Sequence, residues 1–168
     1  QGGAVQISGS VSSQFISALL LVSPTLQNGL SISFTGDVIS KPYINMTLKM
    51  MEHFNVYGTW HENTISVSKQ NYQVSEGSNE NYMVEADWSA ASYWYAFAAL
   101  AEEVDFVIKG LKKESLQGDA ILVNLFSFFG VHTTFVEDGV HLTKTKLKNE
   151  FTAFDFSDCP DIAQTLAV

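Results

Sequence analysis

The feature that most restricts this chain is that it reads as two copies of one pattern. Ile7-Ser8-Gly9-Ser10-Val11-Ser12-Ser13 precedes an apolar, helix-like run, and Val84-Glu85-Ala86-Asp87-Trp88-Ser89-Ala90 precedes another. Further on, His53-Phe54-Asn55-Val56 is echoed by Phe128-Phe129-Gly130-Val131. Glu62-Asn63-Thr64-Ile65-Ser66-Val67 is echoed by Glu137-Asp138-Gly139-Val140-His141-Leu142. A repeated text implies a repeated supersecondary unit.

Each copy reads as β-α-β-α-β-β. The periodicities predict strands at 5–8 and 82–85, then helices at 12–23 and 89–102. Second strands follow at 31–34 and 105–108, and second helices at 42–54 and 118–129. Hairpins close the units, near 56–60 with 64–68 and near 133–136 with 140–143, with Glu62-Asn63 and Asp138-Gly139 as turns. Pro160 precedes helical text over 162–167, the start of a further unit. The polar segment 70–81 reads as the loop between copies. These boundaries predict a first unit over 1–84 and a second over 85–168. The first helices carry apolar residues around nearly their whole circumference, among them Phe15, Ile16, Leu19, Leu20, Tyr93, Trp94, Phe97 and Leu100. They are expected to be buried on most sides. Tyr43–Phe54 has a narrower stripe at Ile44, Leu48, Met51 and Phe54 and should keep one wet face.

Composition narrows the function classes. Of 168 residues, 46% are hydrophobic and 16% charged, with 3 prolines, so the chain can bury a core and is not disordered. Its longest apolar runs are too short to span a bilayer as a helix, so no membrane association is expected. A net charge of -9 argues against nucleic acid, because phosphate contacts need cations. The single cysteine, Cys159, rules out an internal disulfide framework and suits a reducing, cytoplasmic location. The chain opens at Gln1 without a basic and apolar leader, so a processed chain or an excised piece with no secretory signal is expected. The nine lysines account for the whole Lys+Arg total of 9, so arginine is absent.

Three short constellations could carry chemistry. Ser12, Ser13 and Gln14 open the first helix. There, free N–H groups and the dipole favour an anion, and hydroxyls add donors. Serine is equally a common N-cap, which needs no ligand. Ser40-Lys41-Pro42-Tyr43 opens the second helix, with Pro42 suited to the first turn and Ser40 to the cap. The same residues could offer a hydroxyl, a cation and a ring to an anionic ligand. Asp161, after Pro160, could cap a helix, bond a polyol or act as a base. Asp87 occupies the slot in the second copy that Ser10 holds in the first. A carboxylate there repels phosphate, so it reads as a structural cap. His53, His61, His132 and His141 show no metal-ligand spacing, and no Gly-rich loop of nucleotide-binding type is present. No cofactor and no metal are expected. Cys159 reads as an inert thiol, and the lysines at 109, 112, 113, 144, 146 and 148 as solvated charges.

Taken in order, three runs resemble the 5-enolpyruvylshikimate-3-phosphate synthase family, the 3-phosphoshikimate 1-carboxyvinyltransferases. They are Gly9-Ser10-Val11-Ser12-Ser13-Gln14-Phe15, Gly36-Asp37-Val38-Ile39-Ser40-Lys41-Pro42-Tyr43-Ile44, and Tyr82-Met83-Val84-Glu85-Ala86-Asp87 with Ser89-Ala90-Ala91-Ser92-Tyr93. Pro160-Asp161 falls where the family has its Pro-Asp pair. The resemblance covers this whole chain and less than half of a family member. It implies an α/β fold of two lobes, each an inside-out barrel of three β-α-β-α-β-β units. The first copy would belong to one lobe and the second to the other, with a crossing near Val84–Asp87. Ala86 stands where many members have glycine, a change expected to alter backbone freedom at that hinge.

The resemblance also implies a reaction in the shikimate pathway, which leads to chorismate and the aromatic amino acids. The 5-hydroxyl of shikimate 3-phosphate attacks phosphoenolpyruvate, and the tetrahedral intermediate then loses phosphate. By resemblance, Ser12, Ser13 and Ser40 bind shikimate 3-phosphate, Gln14 lies between the two substrates, and Tyr43 lies near the ring. Asp161 bonds the shikimate hydroxyls and accepts a proton. The family's arginine and lysine clamps fall outside these residues, and bidentate arginine is the usual grip on phosphate and carboxylate. The 168 residues alone are therefore expected to be inactive. The parent is expected to be a monomer, and the piece to be capable of self-association. Two other readings remain at this point: an enolpyruvyl transferase acting on a UDP-amino sugar, and a non-catalytic α/β repeat scaffold.

Overall fold

The computed structural model describes residues 1–74, 82–147 and 153–167. Two compact units divide the chain, Gln1–Asn81 and Tyr82–Val168.

In the first unit, β1 (Gly3–Ser8) leads to α1 (Ser13–Val22) and a 3₁₀ turn at Ser23–Thr25. Then come β2 (Leu30–Thr35), α2 (Lys41–His53), β3 (Gly58–His61) and β4 (Thr64–Val67). The sheet order is β1-β2-β4-β3. β1 and β2 run parallel, Gly3 beside Leu30 and Ser8 beside Thr35, with α1 as the crossover that a parallel pair requires. β4 pairs antiparallel with both β2 and β3. The predicted turn at Glu62-Asn63 holds, with Glu62 at φ 48°.

The sheet alternates as half-buried strands do: Leu30, Ile32 and Phe34 point inward from β2, and Ile65 and Val67 from β4. Against them pack Ile16 and Leu20 of α1 and the expected stripe Ile44, Leu48 and Met51 of α2. Fully burying each such side chain contributes about 1.5–3 kcal/mol. Beyond β4 the chain is pinned rather than loose. Gln70 brackets Tyr57, accepting its N–H at 2.9 Å and donating to its carbonyl at 2.8 Å. Only residues 70–74 of the expected loop are described, and 75–81 lie outside the described residues.

The second unit contains α3 (Trp88–Leu100) and β5 (Asp105–Lys109). A 3₁₀ turn at Gly118–Ile121 then runs into α4 (Leu122–Phe128), followed by β6 (Val131–Val136) and β7 (Gly139–Lys144). A second 3₁₀ turn, Pro160–Ile162, precedes α5 (Ala163–Ala167). The sheet order β5-β7-β6 reproduces β2-β4-β3 of the first unit. Gly139 is required at the hairpin turn. Its φ is 139°, and a Cβ there would press on the carbonyl oxygen of Ile108. Trp88, Ala91, Tyr95 and Ala98 of α3 meet Leu122, Leu125 and Phe126 of α4 over Val131, Val140 and Leu142.

Two expectations are corrected. The strand predicted at 82–85 does not form, so the second unit has no described counterpart of β1. Tyr82, Met83 and Val84 are exposed, and the chain is tied to the second unit by the Glu85 side chain and, just beyond it, by Ala86 N–H donating to the Gly110 carbonyl at 3.0 Å. The first helices, moreover, are buried on one side only. Phe15 is 68% exposed on α1, and Trp94 and Phe97 are 55% and 67% exposed on α3. Each unit lays its helices on a single sheet, and the described residues of each unit leave much of the far side of α1 or α3 uncovered.

Candidate functional site

The site residues of the first unit owe their placement to the parallel pair. β1 and β2 point the same way, and each is followed by a helix. The N-termini of α1 and α2 therefore rise from the same edge of the sheet, at the carboxyl ends of the strands. That edge is where open α/β sheets place ligands. The two connecting loops are stitched together. Gly9 N–H donates to the Thr35 carbonyl at 2.9 Å, and Ile39 N–H to the Gly9 carbonyl at 3.2 Å. Gly9 has to be glycine for this approach, since a Cβ would press on the carbonyl oxygen of Asp37. The helices are tied side by side as well, through Thr47 Oγ1 donating to Ser17 Oγ at 2.7 Å.

This geometry brings Ser12, Ser13, Gln14, Ser40 and Tyr43 to one end of the unit. Ser12 is the N-cap of α1. Its Oγ accepts from Gln14 N–H at a long 3.4 Å and remains exposed, so it caps weakly and stays open to another donor or acceptor. Ser13 is the first residue of α1, and Gln14 is exposed. Ser10, one turn earlier, bonds Ser8 Oγ at 2.7 Å instead of the helix.

Ser40 departs from the capping expectation. It occupies the N-cap position of α2 but sits in the left-handed region, φ 54° and ψ 36°, and its side chain makes no cap hydrogen bond. A non-glycine residue held there costs roughly 1–2 kcal/mol, and such outliers cluster at functional sites. Tyr43 N–H donates to the Ser40 carbonyl at 3.1 Å, so the α2 backbone itself holds Ser40 in place, and Tyr43 is half-buried beside it.

The electrostatics point the same way. Neither α1 nor α2 has an acidic residue in its first turn. Lys41 is exposed at the first position of α2, where a cation is disfavoured by the helix dipole. An anion bound there would reverse that penalty. The exposed Asp37, on the same loop as Ser40, is the acid nearest in sequence.

Asp161 lies in the second unit. It falls within the Pro160–Ile162 turn, whose N-cap position is taken by Cys159, so it is not the helix cap that its spacing suggested. Its side chain is exposed, and no hydrogen bond among the described residues holds it. That leaves its carboxylate available to solvent or ligand. Asp87 does cap, accepting from Ser89 N–H at 2.8 Å and Ala90 N–H at 3.2 Å. Cys159 is buried, and burial, then the carboxylates of Asp119, Asp158 and Asp155, push its thiol up to about 11. It is no nucleophile near neutrality. Among the described residues no three His, Cys, Asp or Glu side chains are placed to hold a metal ion, and no helix is long and apolar enough to cross a membrane.

Sequence reasoning missed a polar network around Glu85 and Gln117, and the role of Lys144. In the sequence Lys144 reads as a solvated charge. Its ammonium instead donates to the carbonyls of Ala98 and Ala99 at 3.1 and 2.6 Å, closing the end of α3. Both features join residues some thirty or more positions apart, so no local signal marks them.

A family model described as EPSP synthase (3-phosphoshikimate 1-carboxyvinyltransferase) matches residues 1–168. A 3-phosphoshikimate 1-carboxyvinyltransferase of Bacteroides fragilis is 42% identical over 168 residues, covering 99% of this chain and 40% of the relative. That of Mannheimia haemolytica is 38% identical over 169 residues, covering 99% and 38%. That of Pasteurella multocida is 37% identical over 169 residues, covering 99% and 37%. The chain thus spans about 40% of the length of the curated relatives it matches.

Proposed function

This chain belongs to the EPSP synthase family, and from that premise we propose that it is part of an enzyme that transfers the enolpyruvyl group of phosphoenolpyruvate to the 5-hydroxyl of shikimate 3-phosphate, releasing phosphate. The observation that carries the reading is the pairing of two helix N-termini at one sheet edge, with a weakly capping Ser12 and a strained, non-capping Ser40. Backbone N–H groups and hydroxyls at that edge form a receptor for the sugar phosphate. Ser12, Ser13 and Ser40 hold the phosphate, Gln14 reaches toward phosphoenolpyruvate, and Tyr43 lies against the ring. In the parent enzyme Asp161 orients the shikimate hydroxyls and takes the proton of the attacking oxygen. The oxygen bonds to C2 of phosphoenolpyruvate while its C3 methylene takes up a proton, giving a tetrahedral adduct; loss of a C3 proton and of phosphate from it gives the enol ether. The assignment of 1–84 and 85–168 to separate lobes, a monomeric parent and a cytoplasmic location belong to the same proposal. The bare apolar faces of α1 and α3 are where further units of each lobe would pack.

The absence of arginine limits what these residues do alone. Two phosphorylated carboxylates held by hydroxyls, amides and one lysine are held weakly. The test uses the full-length parent with both substrates and follows phosphate release, with a UDP-amino sugar as the competing acceptor. Turnover with shikimate 3-phosphate and none with the UDP sugar is expected, and the reverse preference would overturn the reading. The isolated 168 residues should release no phosphate.

A further inference from the structure

Glu85 lies at the start of the second unit, in the segment where a strand was expected. Its carboxylate accepts four hydrogen bonds. Oε1 takes Trp88 Nε1–H and Lys112 N–H, each at 2.9 Å, and Oε2 takes Ser115 Oγ–H at 2.7 Å and Gln117 Nε2–H at 3.2 Å. Gln117 completes the network: its Oε1 accepts Trp88 N–H at 2.9 Å and its Nε2 donates to the Ala86 carbonyl at 2.8 Å. Ala86 N–H is bonded to Gly110, so both backbone groups of Ala86 are used. Gly110, at φ 81°, has Ala86 Cβ against it: a Cβ added there would lie 3.0 Å from that atom. Asp87 then caps α3. Glu85, Ala86, Asp87 and Trp88 are thus each tied to the second unit by hydrogen bonds.

Four donors fill the accepting capacity of an ionised carboxylate. An amide of the same shape cannot replace it, because its NH₂ would face two donors whichever way it turned.

We propose that Glu85 is a positioning residue, the anchor that fixes the direction in which the connecting chain leaves the second unit. Resting on the reading of function above, this anchor matters to a reaction whose residues are divided between units, with Ser12, Ser13, Gln14, Ser40 and Tyr43 in the first and Asp161 in the second. Loosening it impairs turnover and spares the affinity of the first unit for the sugar phosphate.

The test is Glu85→Gln in the full-length protein, with Ser115→Ala as a milder variant that removes one of the four bonds together with the bond Gln117 N–H gives to Ser115 Oγ at 3.0 Å. Three quantities are read well below the melting temperature: exchange protection of the Trp88 and Lys112 amides, the dissociation constant of shikimate 3-phosphate, and kcat. Loss of amide protection is expected, with a sugar-phosphate affinity unchanged within about twofold and a kcat reduced about 10- to 100-fold, the scale of a small misplacement far from the chemistry. Ser115→Ala should fall between Glu85→Gln and the unsubstituted protein. Unchanged amide protection in Glu85→Gln overturns the anchor. Lost protection with an unchanged kcat overturns the positioning role and leaves a purely structural one. If the unsubstituted protein transfers no enolpyruvyl group, the positioning role falls with the reading of function. The amide measurement tells that case apart from failure of the anchor itself.

Discussion

Ser40 offers two measurements that a capping role and a binding role predict with opposite outcomes. A serine that caps a helix is worth about 0.5–2 kcal/mol against alanine and only a few tenths against glycine. Ser40 makes no cap bond, and its backbone is left-handed at φ 54°. Ser40→Ala, at a buried position, therefore removes no capping bond and keeps the strain, so stability should change by less than the roughly 1 kcal/mol that loss of a cap costs. Ser40→Gly relieves roughly 1–2 kcal/mol of left-handed strain and returns about 0.4–1 kcal/mol through the freer unfolded chain. The net is a gain of up to about 1.5 kcal/mol. Binding should move the other way. A hydroxyl donated to a phosphate oxygen is worth about 1.5–3 kcal/mol, so either variant of the parent should bind shikimate 3-phosphate about 10- to 100-fold more weakly. Urea titration measures the first quantity and calorimetric titration of the full-length protein the second. Should Ser40→Ala lose 1 kcal/mol or more of stability and bind the sugar phosphate normally, Ser40 is a cap and the receptor argument fails.

Three further outcomes follow from the same geometry. Lys144→Met removes both bonds at the end of α3 and should cost about 1–3 kcal/mol in a urea titration followed by tryptophan fluorescence; an unchanged midpoint would show the carbonyls satisfied by water. Gly9→Ala drives a methyl into the Asp37 carbonyl and should lower the melting temperature while abolishing sugar-phosphate binding in the parent, and wild-type behaviour in both would refute the loop contact. Cys159 and Tyr95 both have raised values in the fold, to about 11 and about 12, chiefly through burial. The folded state holds their protons more tightly than the unfolded one. Their contribution is complete below the unfolded values near 9 and 10 and is lost as pH rises toward 12. Stability should thus fall above pH 9, and iodoacetamide should label Cys159 only as the protein unfolds.

How much of this was legible beforehand depends on how local the cause is. Strand and helix positions follow from period and turn residues, and β2, α2, β5 and both hairpins lie within a few residues of their expected places. The loss of the strand at 82–85 was not legible. Its alternation looks like β1, but the next residue, Ala86, bonds Gln117 and Gly110, and nothing near Glu85 in the sequence announces those bonds. Ser40 was legible as a helix start and not as a strained one, because left-handed backbone at a serine is imposed by the packing of the Gly36–Ser40 loop on Gly9. The one-sided burial of α1 and α3 was misread for a related reason. Periodicity reports which faces are apolar, not which of them a given stretch of chain covers.

The two copies explain why only one reads as an anion receptor. The N-cap of α1 is Ser12 and that of α3 is Asp87, so the structural counterpart of Asp87 is Ser12 and not the Ser10 that its place in the sequence suggests. Both expose apolar residues at matching places beyond the cap: Leu19 and Val22 on α1, Trp94 and Phe97 on α3. What differs is who answers the free N–H groups. In α3 the Asp87 carboxylate accepts from two of them, so the helix carries its own anion and has no use for another. In α1 the neutral Ser12 answers one, at 3.4 Å. Under the proposed function, a repeated fold with one cap acidic and the other neutral would confine the sugar phosphate to the first unit. Exchanging the caps tests this. Ser12→Asp should strengthen the cap by up to about 1 kcal/mol through the helix dipole, and in the parent it should abolish shikimate 3-phosphate binding, since two anions would compete for the same helix end. If Ser12→Asp bound the sugar phosphate as tightly as the unsubstituted protein, the phosphate would have to lie elsewhere.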